Sequence, residues 1–219
     1  MTGCTKVSLG CRHCWVELYE SVFRGDEVFK PAVDFDKVVL HEEALTQPGQ
    51  WWAPSMVLVN SKSDTFHENV PTEFIKKIFS VMESKPQHIF EVLTKRSDRL
   101  AELAPILPWP SNVWCGVTVE HADYLHRIDN LRTVPAALRY LALEPLLSPM
   151  PNLNLEGIHW VMAGGELGPE TGPVPRAWVL DVRDQCVAAD IPFLFRFWGG
   201  EAPDGNGCLI EGKVWGEMP

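Results

Sequence analysis

The sequence predicts an α/β fold, a partial (β/α)6-type barrel of parallel strands, on three observations. Short apolar runs alternate with helix-periodic segments across residues 56–198, the pattern of strand–crossover–strand units with right-handed connections. The C-terminal ends of these runs carry polar or glycine residues: 60–64, Lys95-Arg96, Thr118 and Glu120, Glu144, and 164–166. In α/β barrels the site is built at that end of the strands. Six such runs are too few for a closed eight-stranded barrel, and a doubly wound open sheet is the alternative.

The elements follow in order. After Cys14, the apolar residues Trp15, Leu18, Tyr19, Val22 and Phe23 recur at helical spacing and Gly25 closes the segment. Residues 26–55, with Pro31, Pro48, Pro54 and the Trp51-Trp52 pair, read as a long excursion with one short helix; the two indoles are a candidate platform for a planar substrate. A buried strand is expected at 56–60. Pro71 suits the first turn of a helix with the apolar face Phe74, Ile75, Ile78, Phe79 and Met82. Further strands are expected at 88–93, 112–120, 138–143, 158–163 and 192–198, with helices near 97–105, 121–132 and 175–189. The tail, 201–219, reads as a hairpin about Asp204-Gly205-Asn206-Gly207.

With 219 residues the chain can bury one sizeable core, and no linker divides it. The expected organisation is a single domain over 1–219: a cysteine loop and following helix at 1–25, a barrel core at 56–198 and a tail at 199–219. A formal net charge of -10 argues against broad non-specific nucleic-acid binding, which depends on neutralising phosphates. A local basic groove, a nucleotide substrate or a basic partner protein stays open. No apolar run approaches the roughly 20 residues of a membrane span, and no signal-peptide core is present. A cytoplasmic setting without membrane attachment is therefore expected, where clustered thiols indicate metal or catalysis rather than disulfides.

The first fourteen residues carry three of the six cysteines, Cys4, Cys11 and Cys14, in the spacing Cys-x6-Cys-x2-Cys. Three thiolates leave a four-coordinate site one ligand short. A structural zinc would complete it as Cys3His, with His13 or a distant histidine. A [4Fe–4S] cluster would keep one iron open to a small molecule. Cys115 and Cys186 read as small core residues and Cys208 as a tail thiol. His67 and His126 read as surface histidines.

Taken together, T-G-C-T-K-V-S at 2–8, C-R-H-C at 11–14, N-S-K-S-D at 60–64, L-T-K-R at 93–96, G-V-T-V-E at 116–120, L-E-P-L-L at 143–147, G-G-E at 164–166, F-W-G at 197–199 and V-W-G-E-M-P at 214–219 resemble the radical S-adenosylmethionine (SAM) superfamily. More closely, they resemble a phage-associated family within it, long labelled as of unknown function. The resemblance implies an iron-sulfur cluster loop at the N-terminus, with Cys4, Cys11 and Cys14 as ligands of a [4Fe–4S] cluster and S-adenosylmethionine chelating the open iron. It implies an enzyme that cleaves this cofactor to a 5′-deoxyadenosyl radical, which abstracts hydrogen from an organic substrate. The implied cofactor contacts are His13 near the adenine, and Asn60, Ser61, Ser63 and Asp64 at the amino group or ribose. Lys95 or Arg96 would meet the carboxylate and Thr118 and Glu120 the ribose, with Glu144 a rim carboxylate. Gly164, Gly165 and Glu166 would admit a ligand close to the backbone. Implied partners are a flavodoxin- or ferredoxin-like electron donor and a nucleic-acid base, such as a modified thymidine in phage DNA, or a partner protein; a small metabolite is the other substrate class. A zinc-stabilised or cluster-bearing scaffold without radical chemistry is the reading from another class.

Three departures stand out. Only three residues precede Cys4, where the superfamily has its first barrel strand; the x6 loop replaces the usual x3; and Arg196-Phe197 stands where Lys-Gln is expected before Trp-Gly.

Overall fold

A computed structural model describes residues 1–17, 35–168, 170–201 and 207–219. Its main sheet holds six parallel strands: β1 (Met56–Leu58), β2 (Ile89–Thr94), β3 (Val113–Thr118), β4 (Leu138–Leu143), β5 (Trp160–Ala163) and β6 (Phe193–Phe195). They lie in chain order, each hydrogen-bonded to the next, and the sheet curls into a half-barrel. A doubly wound sheet reverses direction at a switch point. This one never does, which removes that alternative.

The alternation within strands explains the two faces. Phe90, Val92, Cys115, Val117, Leu141, Leu143, Val161 and Phe193 point into the main core with the crossover helices. Those helices are α1 (Thr72–Glu83), α2 (Ser97–Leu103), α3 (His126–Arg132) and α4 (Arg176–Ala188). On α1 the predicted stripe Phe74, Ile75, Ile78, Phe79 and Met82 is buried, with Pro71 as its N-cap. Each such side chain contributes about 1.5–3 kcal/mol on burial. The opposite, concave face holds a second cluster of Tyr140, Ala142, Trp160 and Met162, flanked by Leu93, Trp114, Leu138 and Leu194.

The tail closes one edge of the sheet. Phe195 N–H donates to Trp215 O (2.8 Å), Glu217 N–H to Phe193 O (3.2 Å), and Leu194 bridges Gly216 in antiparallel fashion. Trp160 Nε1–H donates to Glu217 O at 3.0 Å. The unpaired groups of β6 thus gain partners from 215–217. At the other edge β1 has only three residues, and its Met56 and Leu58 are exposed on the concave side.

Several expectations shift. The tail hairpin pairs β7 (Leu209–Ile210) with β8 (Lys213–Val214) and turns at Glu211-Gly212, both with positive φ (52° and 78°), the geometry of a two-residue I′ turn. The Asn-Gly signal drew the prediction five residues too early; of that stretch, 204–206 lie outside the described residues. The excursion contains a 3-10 helix, Glu42–Gly49, and 26–34 fall outside the described residues. Trp51 packs edge-on to His88, centroids 5.3 Å apart, just before β2 and at the end of the sheet away from the predicted site, while Trp52 is 98% exposed. The paired stacking platform is therefore not formed. The helix expected after Cys14 is seen over 15–17, and its remainder lies outside the described residues. Among the described residues no helix is long and apolar enough to cross a membrane.

Candidate functional site

The cysteine loop lies over the C-terminal ends of the strands, tied down at successive strand ends. Thr2 and Val39 exchange backbone hydrogen bonds (3.1 and 2.9 Å), and Cys4 N–H donates to Phe35 O at 2.8 Å. Gly3, at φ 84°, comes so close to this segment that a Cβ there would stand 2.1 Å from Lys37 O. Beyond β1, the Met1 amino group donates to Asn60 Oδ1 (3.4 Å) and Ser63 Oγ–H to Gly3 O (2.6 Å). Beyond β3, Gly10 N–H meets Glu120 Oε1 and Leu9 N–H meets Tyr124 Oη, each at 3.4 Å. Gly10 also sits against Pro145 after β4, and His13 Nδ1 is 3.2 Å from Glu166 Oε1 after β5. That contact lacks hydrogen-bond alignment, so the buried Nδ1 has no hydrogen-bond partner among the described residues.

Arg96, just after β2, is the main anchor. Its Nε–H donates to Glu68 Oε2 (3.0 Å), Nη1 to Asp64 Oδ2 (3.1 Å) and Cys4 Sγ (3.6 Å), and Nη2 to Thr5 O (3.1 Å) and Oγ1 (2.9 Å). All five guanidinium N–H groups are thereby matched, a fork that lysine lacks. Asp64 is as fully engaged: it also accepts from Phe66 N–H, Thr94 Oγ1–H and Lys95 N–H. The Arg96–Asp64 pair is buried, with both side chains 8% exposed. Burial pushes the Cys4 thiol pKa up, and Arg96 pulls against that shift in favour of the thiolate.

His67, read from sequence as a surface histidine, is fully buried and supports the same loop. Its Nδ1 accepts from Asn69 N–H (3.1 Å), so Nε2 carries the proton and donates to Thr5 Oγ1 (2.9 Å). Burial lowers its pKa, which suits the neutral ring. Thr5 Oγ1 accepts from both His67 and Arg96 and donates to Glu68 Oε1 at 3.2 Å.

The expected cofactor contacts divide into two sets. Asn60, at φ 54°, donates through Nδ2 to Thr65 Oγ1, and together with Ser63 and Asp64 it organises the turn and the cysteine loop. Glu120 is fully buried: Oε2 accepts from Arg127 at 2.8 Å and Oε1 faces Gly10 N–H. The side chains of Asp64, Glu120 and Arg96 therefore have partners within the protein instead of facing a ligand. Thr118 is buried and its carbonyl accepts from Arg127. Gly165 does make a close backbone approach, but to the chain itself: a Cβ there would stand 2.0 Å from Trp198 O. The other set remains accessible at the rim: exposed Ser61, and partly buried Lys95, His13, Glu166 and Glu144. Gly164 packs against the Glu144 carboxyl, which Arg196 Nη1 bridges at 3.0 and 3.1 Å. Burial raises the Glu144 pKa and Arg196 opposes the rise.

Cys4, Cys11 and Cys14 are half-buried, whereas Cys115 and Cys186 are buried. Burial pushes the Cys186 thiol up to about 12, which suits inert core thiols. Among the described residues no three His, Cys, Asp or Glu side chains are grouped so as to hold a metal ion. Sequence reasoning missed Glu91 and Tyr140, on the concave face, and Arg127. A glutamate interrupting the apolar run of β2 was the available signal for the first.

Strand order and rim together define a parallel α/β half-barrel protein whose candidate site lies at the strands' C-terminal ends. The chain belongs to the family described as protein of unknown function (DUF5131), whose model matches residues 1–219. No curated protein and no solved structure matches it.

Proposed function

We propose that the chain is a radical SAM enzyme, with Cys4, Cys11 and Cys14 holding a [4Fe–4S] cluster and S-adenosylmethionine bound beside it. The observation that carries this reading is the course of the three-cysteine loop over the C-terminal ends of a curled parallel sheet, pinned by Arg96, Ser63, Glu120 and His67. The chemistry of the donor set supports the group: three half-buried thiols lie on one rim loop, and Arg96 aims an N–H at the first. Cysteines of a cubane bind separate irons, so the requirement is three thiolates on one face rather than three touching sulfurs. When bound, the pair supplies one-electron cleavage of the sulfonium C–S bond, releasing a carbon radical able to take hydrogen from an unactivated C–H.

The chain's own residues orient the partners. Ser61 and Lys95 offer a hydroxyl and an ammonium to the polar end of the cofactor, and the unaligned His13–Glu166 pair offers a ring face and a carboxylate to its nucleoside end. Asp64 and Glu120 act indirectly, by fixing the loop. The substrate class proposed first is a nucleic-acid base; a small metabolite is the second, and a flavodoxin- or ferredoxin-like donor supplies the electron.

The test is anaerobic reconstitution with iron and sulfide, then SAM and dithionite, with 5′-deoxyadenosine as the readout and Cys14→Ala as control. Formation by wild type and loss in the variant support the proposal. A protein that takes up zinc, and no cluster, overturns it in favour of a zinc-stabilised binding module.

A further inference from the structure

The concave face of the half-barrel holds a polar pair that the rim chemistry does not use. Strand register places Leu58, Glu91 and Trp114 side by side in one layer, and Leu93, Gly116, Tyr140 and Trp160 in the next. Glu91 shares its face with Leu93, opposite to Phe90 and Val92 in the main core. Its carboxylate has no hydrogen bond or ion pair among the described residues.

Tyr140 is fully buried, yet its hydroxyl has no hydrogen-bond partner among the described residues. The ring lies flat over Gly116: a Cβ at that glycine would stand 2.4 Å from the ring carbon that bears the hydroxyl. The hydroxyl therefore reaches across β3 towards β2, where Leu93 is the register partner of Gly116 and Glu91 lies in the next layer on the same face. A buried hydroxyl without a partner is costly, and a carboxylate on the same apolar wall adds to that penalty. Burial raises the pKa of each group, and Glu91 raises that of Tyr140 further. Arg196, whose charge acts on Glu91, is already engaged by Glu144 at the rim. What completes this face is a cation with N–H donors and an apolar body.

We infer that the concave face binds an organic amine, with the partly exposed Glu91 carboxylate accepting its N–H groups and the Trp114 indole packing on its body. An ammonium supplies three donors, and indole beside a carboxylate is a setting in which organic cations bind well. The exposed edge at β1, where Met56 and Leu58 face solvent, is the way in. The inference takes this face as the substrate side of the enzyme proposed above, and thus makes the substrate amine-bearing.

The test is binding of benzylammonium to the full chain without reconstitution, followed by saturation-transfer NMR and by shift of the unfolding midpoint. Benzoate and benzyl alcohol serve as matched anion and neutral controls. Saturable binding is expected, weakened about tenfold by Glu91→Gln, the scale of one lost charge-assisted hydrogen bond. Tyr140→Phe, which keeps the ring over Gly116 and removes a hydroxyl without accessible surface, is the control and leaves it unchanged. Equal binding of benzoate, no saturable binding, or undiminished binding by a folded Glu91→Gln protein overturns the inference. Since neither cluster nor SAM takes part, the result stands apart from the 5′-deoxyadenosine assay, and either proposal can fail alone.

Discussion

Arg96 Nη1 lies 3.6 Å from Cys4 Sγ and 3.1 Å from Asp64 Oδ2, so one nitrogen links the first cysteine to the buried carboxylate beyond β1. Ninety-two residues separate Arg96 from Cys4. The guanidinium is the point at which the loop and the sheet become one structure.

Arg96→Ala leaves Asp64 buried without its cation. Breaking a buried pair in this way costs about 3–5 kcal/mol. Urea unfolding should register that loss. Arg96→Lys should restore little, because an ammonium cannot replace the five-donor fork.

Glu91 gives a pH signature with a definite sign. Burial raises its folded pKa above the ordinary glutamate value of 4.5. Below that value the carboxyl is protonated in both states and brings no penalty. As pH rises through the elevated folded pKa, the folded state comes to hold a charge it disfavours, and stability falls. Glu91→Gln should therefore unfold at a higher temperature than wild type at about pH 7, with the gap closing at about pH 4. A gap that widens on acidification would contradict this account.

Tyr140→Phe removes the unpartnered hydroxyl while keeping the ring against Gly116. A gain of about 1 kcal/mol is expected in denaturant titration. Gly116→Ala should act oppositely, since its methyl would meet the Tyr140 ring at 2.4 Å.

Gly165→Ala drives a Cβ to within 2.0 Å of Trp198 O, a backbone atom that cannot swing aside. A loss of about 3 kcal/mol is expected. Gly172→Ala, where a Cβ meets nothing within 4 Å, is the matched control and should be near neutral in the same unfolding experiment.

Much of the architecture was legible in order and period. The run 138–143 became β4 without change, and the α1 stripe from Phe74 to Met82 is buried as its spacing requires. The tail hairpin misled because an Asn-Gly pair is the stronger local turn signal, whereas Glu211-Gly212 turns the chain. The closing of the β6 edge by 215–217 left no local trace, because pairing between distant segments has no period. At the rim, polar residues at strand ends were visible in sequence. Which of them face inward was not: Asp64 and Glu120 became anchors, while Glu91 and Tyr140 lay unseen within apolar runs.

By itself, then, the sequence determined the alternation of strands with helices, the spacing of the three cysteines and the polar strand ends, because each is written in local periodicity. Only the tertiary structure decided the uninterrupted strand order, the curl that creates a concave face, and the pairing of charges. Arg96 finds Asp64 at a separation of 32 residues and Arg196 finds Glu144 at 52. Those partners meet because the crossovers stack successive strand ends along one rim, and whether a carboxylate there is neutralised depends on that stacking.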